Sequence, residues 1–254
     1  MVSTGSARYP VSIDGETAYI GTASELAVAL DVLQGQHDRM VLEQLAPHLP
    51  TVIAGPAGLM GTLKSLAPAD QIFLIDALRP SLAEMVHHAG QLRDILAVLA
   101  DPAVEERLLS ALGSAFLCRL IVTATELAEL LEWVYGECDH MVLELIGPEQ
   151  LRRMISTGRD LSEVLHALDE ERQTWLIQQL GWERVSALAA NGRDLAYLFG
   201  ALPSHLSGLL LDRYTTEQLV ELIGNARDWE FLCGHLEAAE LAKLYDVVGV
   251  NGNA

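Results

Sequence analysis

Hydrophobic and polar positions along this chain recur with a period of about 34 residues. An acidic or amide residue is followed by Leu, two variable positions, a pair holding at least one large aliphatic, and another aliphatic three positions on. Clear instances begin at Glu25, Gln91, Glu126, Asp160 and Asp194. With looser instances at Gly58 and Asp228, the seven starts lie 33, 33, 35, 34, 34 and 34 residues apart. Such a period predicts stacked helical units, none able to bury its apolar side alone.

The apolar spacing inside one unit predicts three short helices. In the unit that begins at Asp160, one helical stripe of apolar residues is followed by a second after Asp169 and a third after Gly181. Asp160 is predicted to be the N-cap of the first helix. Gly181 is predicted to end the second helix, and Asn191-Gly192 the third. Helices of about 8–11 residues are weak alone, so we expect each to be stabilised by neighbouring units.

Residues 9–21 have the alternation of a β-hairpin instead of helical spacing. Val11 and Ile13 alternate with polar residues, and Asp14-Gly15 is a favoured two-residue turn. The hairpin is expected either to cap the first unit or to pair with another chain through an open edge. The predicted fold is therefore all-α, a right-handed α-solenoid of about seven short-helix repeats over residues 25–250. Residues 1–24 hold the N-terminal tail and the hairpin.

The chain is strongly acidic. It has 16 Lys and Arg against 35 Asp and Glu, a net charge of −19. This charge repels phosphate backbones and anionic lipid, which disfavours nucleic acid and membranes as partners and favours a basic protein. No apolar run approaches the roughly 20 residues of a membrane-spanning helix. Three widely spaced cysteines fit a reduced, cytoplasmic protein with buried thiols, and they are Cys118, Cys138 and Cys233.

No motif for catalysis, a cofactor or a metal is visible in the sequence. The nucleophile-elbow, zinc-protease, phosphate-loop and dinucleotide-binding motifs do not occur. The eight histidines occupy no fixed place in the repeat, and the ligand-type residues 137–140 lack a second pair at metal-ligand spacing. We therefore expect a non-catalytic protein without a cofactor. An enzyme with an unrecognised site is the remaining alternative of this kind.

Three arginines recur at the repeat period. Arg159, Arg193 and Arg227 each precede an aspartate. Stacked units would place them in a row, where their guanidinium groups could hold the carboxylates of a partner or a phosphate. The alternative is structural, with each arginine paired to a nearby Asp or capping the carbonyls of the preceding helix.

Two of the four tryptophans stand at the margins of apolar stripes. Trp133 lies one position before a stripe residue, and Trp182 opens a predicted third helix. If exposed, either could anchor a protein partner, because tryptophan is enriched among the residues that dominate interfaces. Trp175 and Trp229 occupy stripe positions, which predicts that both lie in the core.

Three predicted third-helix segments end in a short pair of small or polar residues. The segments are 146–158, 180–192 and 214–226, ending in Thr157-Gly158, Asn191-Gly192 and Asn225-Ala226. Each resembles the first half of the 34-residue repeat of transcription activator-like effectors. In that family the final pair forms a loop in the DNA major groove, where one residue reads a base. The resemblance implies a DNA-reading role for these three pairs, as the alternative to protein binding.

Length, period and charge together predict a protein-binding scaffold or adaptor that presents an extended acidic surface. Its partner is expected to be a basic protein. Self-association is a further expectation, either through the hairpin or through the apolar C-terminal end, which contains Val247, Val248 and Val250.

Overall fold

The computed structural model describes residues 7–224, 226–236, 241–242 and 244–245. These residues form many short helices, preceded by one two-stranded antiparallel hairpin. The predictions of a mostly helical chain and of an N-terminal hairpin are confirmed. Within these ranges, no helix has the length and apolar character needed to cross a membrane. The apolar C-terminal residues proposed for self-association lie outside the described residues.

The hairpin joins β1 (Tyr9–Ile13) to β2 (Glu16–Ile20), with Val11 opposite Ala18. Asp14 and Gly15 have φ values of 51° and 86°, as the two central residues of a type I′ turn require. Val11 and Ile20 are buried, so one face of the hairpin packs on the helices.

Helices occupy most of the remaining described chain. In chain order they are α1 (Ala23–Leu33), α2 (Asp38–Leu45), α3 (Leu49–Val52), α4 (Pro56–Lys64), α5 (Pro68–Leu78), α6 (Leu82–Met85), α7 (Ala89–Leu96), α8 (Pro102–Leu112), α9 (Ser114–Leu120), α10 (Ala124–Leu131), α11 (Gly136–Met154), α12 (Gly158–His166), α13 (Glu170–Leu180), α14 (Trp182–Ala187), α15 (Gly192–Ala201), α16 (Ser204–Leu211), α17 (Thr216–Ile223) and α18 (Ala226–His235). A 3-10 turn at Ala46–His48 precedes α3. Gly147, with φ 75° and ψ 161°, divides α11 into two helical segments.

The first helices of successive units begin at the same spacing as the sequence repeat. The first helix of each unit is α1, α4, α7, α10, α12, α15 or α18, and each begins two residues before the marker of its unit. The Leu that follows the marker is fully buried in six units, at Leu26, Leu59, Leu92, Leu127, Leu161 and Leu195. In the seventh unit the corresponding residue is Trp229, which is half-buried. The repeat therefore marks the residues that the first helices bury.

The chain forms two compact bodies. The first contains residues up to 121 and residues 133–145, and within it α1 packs on α4, α4 on α7, and α5 on α8. The second contains residues 122–132 and the chain from 146 onward, and within it α10 packs on α12, α12 on α15, and α15 on α18. In each body, equivalent helices of successive units are neighbours.

The first helices of two units, α10 and α12, begin with a capping box in which a threonine is the N-cap. Thr157 is the N-cap of α12, and its hydroxyl accepts a hydrogen bond from the N–H of Asp160 at 3.1 Å. The Asp160 carboxylate accepts from the N–H groups of Ser156 and Thr157, each at 2.9 Å. The predicted N-cap role of Asp160 is therefore wrong, because the reciprocal pair satisfies more free N–H groups than one aspartate could.

The predicted stop at Asn191-Gly192 is also wrong. Asn191 has an extended backbone and is the N-cap of α15, its side chain accepting from the N–H groups of Arg193 and Asp194. Gly181 does end α13 as predicted, with φ 81°. Asn is favoured as an N-cap and Gly is favoured after the last residue of a helix, so an Asn-Gly pair is compatible with either end. Here the Asn191 side chain caps the helix that follows.

Candidate protein-binding surface

The three periodic arginines all lie exposed in the first turns of helices. Arg159 Nε is 2.9 Å from Glu163 Oε1, one turn further along α12. Arg193 Nε is 3.8 Å from Asp228 Oδ1 of α18, and its guanidinium lies 5.5 Å from the ring centre of Phe231. Arg159 and Arg193 thus already have acidic partners within the chain, and the partner of Arg193 is an aspartate, the residue type that the structural alternative named. Arg227 is exposed at the start of α18.

The residues beside these arginines hold neighbouring helices in close contact. A methyl group at Gly158 would lie 2.5 Å from the carbonyl oxygen of Asp194, and one at Gly192 would lie 2.7 Å from Asp228 Cβ. Burial raises the pKa of Asp194, against hydrogen bonds from the backbone N–H groups of Ala190 and Arg159. The Gly-Arg-Asp repeat is therefore a packing feature, because glycine alone admits the next helix this closely.

Two of the three pairs that the resemblance to transcription activator-like effectors would assign to base reading lie at the starts of α12 and α15. The side chains of Thr157 and Asn191 cap helices, and Gly158 and Gly192 are buried between helices. The two capping side chains and the two glycines therefore already have structural roles in the second body. Asn225 lies outside the described residues.

The four tryptophans differ in exposure. Trp133 is 53% exposed, whereas Trp182 is half-buried. Trp175 and Trp229 are half-buried too, so the prediction that they lie in the core is wrong. In α13 the buried positions are Leu176, Ile177 and Leu180. Trp175 stands at the margin of this stripe, since a single helix has room for only one buried face.

Trp133 belongs to a short aromatic loop, defined here as residues 133–135. Tyr135 is also exposed, at 42%, whereas Val134, which stands between them in sequence, is only 9% exposed. Tyr135 was missed by the sequence analysis. It stands where two other units have the N-cap residues Asp101 and Asp169 of their second helices. The N-cap residues of α2, α5 and α16 make no side-chain cap.

Both aromatic residues interrupt the repeat. Counted from the start of the first helix, the equivalents of Trp133 in five other units are all much smaller: Val32, Ser65, Val98, Ala167 and Ala201. A large aromatic ring is needed at neither position to build a unit. Comparison between units, in place of a search for motifs, would have found them.

A buried carboxylate fixes the backbone of the aromatic loop. Glu105, fully buried in the first turn of α8, accepts a hydrogen bond from the N–H of Tyr135 at 2.9 Å. Burial raises the pKa of Glu105, partly offset by the hydrogen bonds from Tyr135 and from the thiol of Cys138. Burial, with the Glu105 carboxylate beside it, raises the pKa of Cys138 to about 12. The thiol therefore stays protonated, which favours a structural role over a nucleophilic one.

Only one of the three cysteines is buried. Cys138 is buried, but Cys118 and Cys233 are intermediate in exposure, and all three are free thiols. The prediction of small buried thiols is thus confirmed for one cysteine and wrong for the other two.

In the described ranges, no group of three or more His, Cys, Asp or Glu side chains could hold a metal ion. A hollow of about 410 Å³ beside α14 and α17 is lined partly by Arg213, Tyr214 and Glu221, and the Tyr214 hydroxyl donates to the carbonyl of Ser186 at 2.7 Å.

No protein-family model, curated protein or solved structure matches this chain.

Proposed function

We propose that this protein is a non-catalytic scaffold or adaptor that binds a basic protein partner, with the aromatic loop as its main anchor. One observation carries the proposal: Trp133 and Tyr135 are both exposed, at 53% and 42%, on a loop whose backbone is tied to a buried carboxylate. Trp and Tyr supply large contact areas at low cost in side-chain entropy, and they are enriched among the residues that dominate interfaces.

The fixed backbone supports binding because it lowers the cost of ordering. Val134, between the two aromatic residues in sequence, is buried, and the Tyr135 N–H donates a hydrogen bond to Glu105. A loop already held in place loses little freedom when a partner binds, so more of the contact energy remains as affinity. The net charge of −19 would speed the approach of a basic partner and weaken that of an anionic one.

We further propose that the units continue into a right-handed α-solenoid. The support is the regular spacing of the first helices and the packing of equivalent helices in each body. In such a stack the aromatic loop is one local feature of a long acidic surface, which is how repeat proteins commonly present binding sites.

The test replaces each aromatic and follows binding and stability together. Trp133→Ala removes the larger ring. Tyr135→Ser restores a capping residue where Asp101 and Asp169 cap their helices, so it should stabilise the protein by about 0.5–2 kcal/mol while weakening binding. Leu209→Ala is the matched control, since Leu209 is 46% exposed on α16.

Quantitative affinity purification from the source cells should identify basic proteins retained by the wild type and by Leu209→Ala but lost from both loop variants. The affinity of a purified partner should fall about tenfold or more with Trp133→Ala. Equal retention by all four proteins would contradict the proposal. So would a fall in stability with Tyr135→Ser, because Tyr135 would then have a structural role.

A further inference from the structure

The two outer edges of the hairpin differ. With Asp14 and Gly15 as a two-residue turn, Ile13 and Glu16 form the hydrogen-bonded pair next to it, and so do Val11 and Ala18. The backbone groups of the alternate residues therefore point outward: those of Ser12 on β1, and those of Thr17 and Tyr19 on β2.

The outer edge of β1 is covered. The Ser12 N–H donates to Gln44 Oε1 at 2.8 Å, and Gln44 Nε2 donates to the Ser12 carbonyl at 3.0 Å. Gln44, from α2, thus takes the place of a neighbouring strand. Pro10, the other outward residue of β1, has no N–H to satisfy.

The outer edge of β2 is open. Residues 16–19 are all exposed, and Tyr19 is 58% exposed. Within the described chain, no residue hydrogen bonds to the outward N–H or carbonyl groups of Thr17 and Tyr19. An open strand edge can accept a further strand through its backbone groups.

A hollow under β2 would receive the side chains of an added strand. It measures about 430 Å³, and its apolar lining includes Val11, Ile13, Ala18 and Leu33, the last from α1. Side chains alternate between the two faces of a strand. Every second residue of an added strand would therefore point toward this hollow, which favours apolar residues at alternate positions.

The charge around the hollow is acidic. Asp14 and Glu16 line it, and both are exposed. Arg8 pairs with Glu25, and His37 Nε2 lies 3.5 Å from Asp14 Oδ2. A second copy of this chain would bring another net charge of −19, so charge complementarity favours a basic strand from a different protein.

From this geometry we infer that the open edge of β2 binds an extended, basic segment of another protein, which adds as a strand beside Thr17 and Tyr19. Its apolar residues enter the hollow at alternate positions, and its Lys or Arg residues meet Asp14 and Glu16. This site is separate from the aromatic loop and does not depend on it.

The probe is a fluorescently labelled peptide, acetyl-Lys-Val-Thr-Val-Thr-Val-Lys-amide, titrated with the full-length protein in an anisotropy assay. Thr17→Pro removes an outward N–H and no hydrogen bond of the β1–β2 ladder, because Thr17 and Ser12 form a non-hydrogen-bonded pair. It also removes the 3.3 Å contact between the Thr17 and Ser12 hydroxyls, which Thr17→Val removes as well. Thr17→Val is its matched control, since it keeps the backbone N–H. A peptide N-methylated at alternate residues tests strand pairing without altering the protein.

We expect saturable binding to the wild type and to Thr17→Val, at least about tenfold weaker binding to Thr17→Pro, and none of the N-methylated peptide. Amide NMR shifts should be largest at residues 17–19, and the melting temperature of Thr17→Pro should show that it is folded. Trp133→Ala should bind the peptide normally, which separates this site from the aromatic loop. No binding to the wild type, equal binding to Thr17→Pro, or dimerisation through this edge would overturn the inference.

Discussion

At the scale of single residues, the repeat is maintained by contacts that tolerate almost no change in size. Gly158 at the start of α12 touches the backbone of Asp194 in α15. In α1 and α4 the roles are exchanged: a methyl group at Gly58 would lie 2.9 Å from Ala23 Cβ. This exchange gives a reason why Gly58 matches the acidic marker only loosely, because the close contact leaves no room for a side chain.

Gly158→Ala should lower the stability of the protein by about 1–3 kcal/mol, since the new methyl group meets a backbone carbonyl that cannot rotate away. Gly200→Ala, on α15, is the matched control. It has nothing within 4 Å, and an alanine inside a helix should stabilise the protein by about 0.5–1 kcal/mol. Urea unfolding followed by tryptophan fluorescence measures both, and shifts of the same sign would contradict the packing assigned to Gly158.

Glu105→Gln should change the pH dependence of stability. Because burial raises the pKa of Glu105, the folded protein holds this proton more tightly than the unfolded chain does. The wild type should therefore lose stability as the pH rises from about 4.5 through the raised pKa, and the neutral glutamine should not.

The quantity to follow is the unfolding free energy of the variant minus that of the wild type, measured from pH 4 to pH 8. It should become more positive with rising pH and then level off. Glu106→Gln, at the exposed position next to it, serves to subtract the general effect of removing one negative charge. A flat difference for Glu105→Gln would mean that this carboxyl is not held in the environment described.

At the scale of the element, the sequence predicts where the helices lie better than how they begin. Apolar spacing is fixed by burial along one face, so Leu161 and its equivalents could be identified without a structure. The start of α12 depends instead on a competition between Thr157 and Asp160 for the free N–H groups, and both residue types are good caps. The same ambiguity made Asn191 look like the end of one helix when it begins the next.

Thr157→Ala should cost about 0.5–2 kcal/mol of stability, because it leaves the N–H of Asp160 without its acceptor. Thr174→Ala is the matched control inside α13, where the hydroxyl only bonds back to the Glu170 carbonyl. That substitution should be close to neutral, since such bonds add little to a helix. Thermal unfolding by circular dichroism distinguishes the two, and equal losses would argue against the capping box.

At the scale of the whole molecule, the departures from the period are more informative about function than the period itself. The 34-residue spacing predicted the starts of the first helices, because six of the seven units bury a leucine at the same position. It could not predict that Gln44 covers the β1 edge of the hairpin or that Glu105 binds the N–H of Tyr135, since both depend on contacts between residues distant in sequence. Trp175 was misplaced for a related reason, as the width of a buried stripe depends on what packs against it.

The central proposal is that the units continue into one solenoid stack along the whole chain. Small-angle X-ray scattering on the monomeric peak of a size-exclusion column tests it most directly, with the mass checked from forward scattering. A compact domain of this length would have a radius of gyration of about 18 Å. A stack predicts a clearly larger value and an elongated distribution of interatomic distances, whereas a value near 18 Å with a symmetric distribution would contradict it.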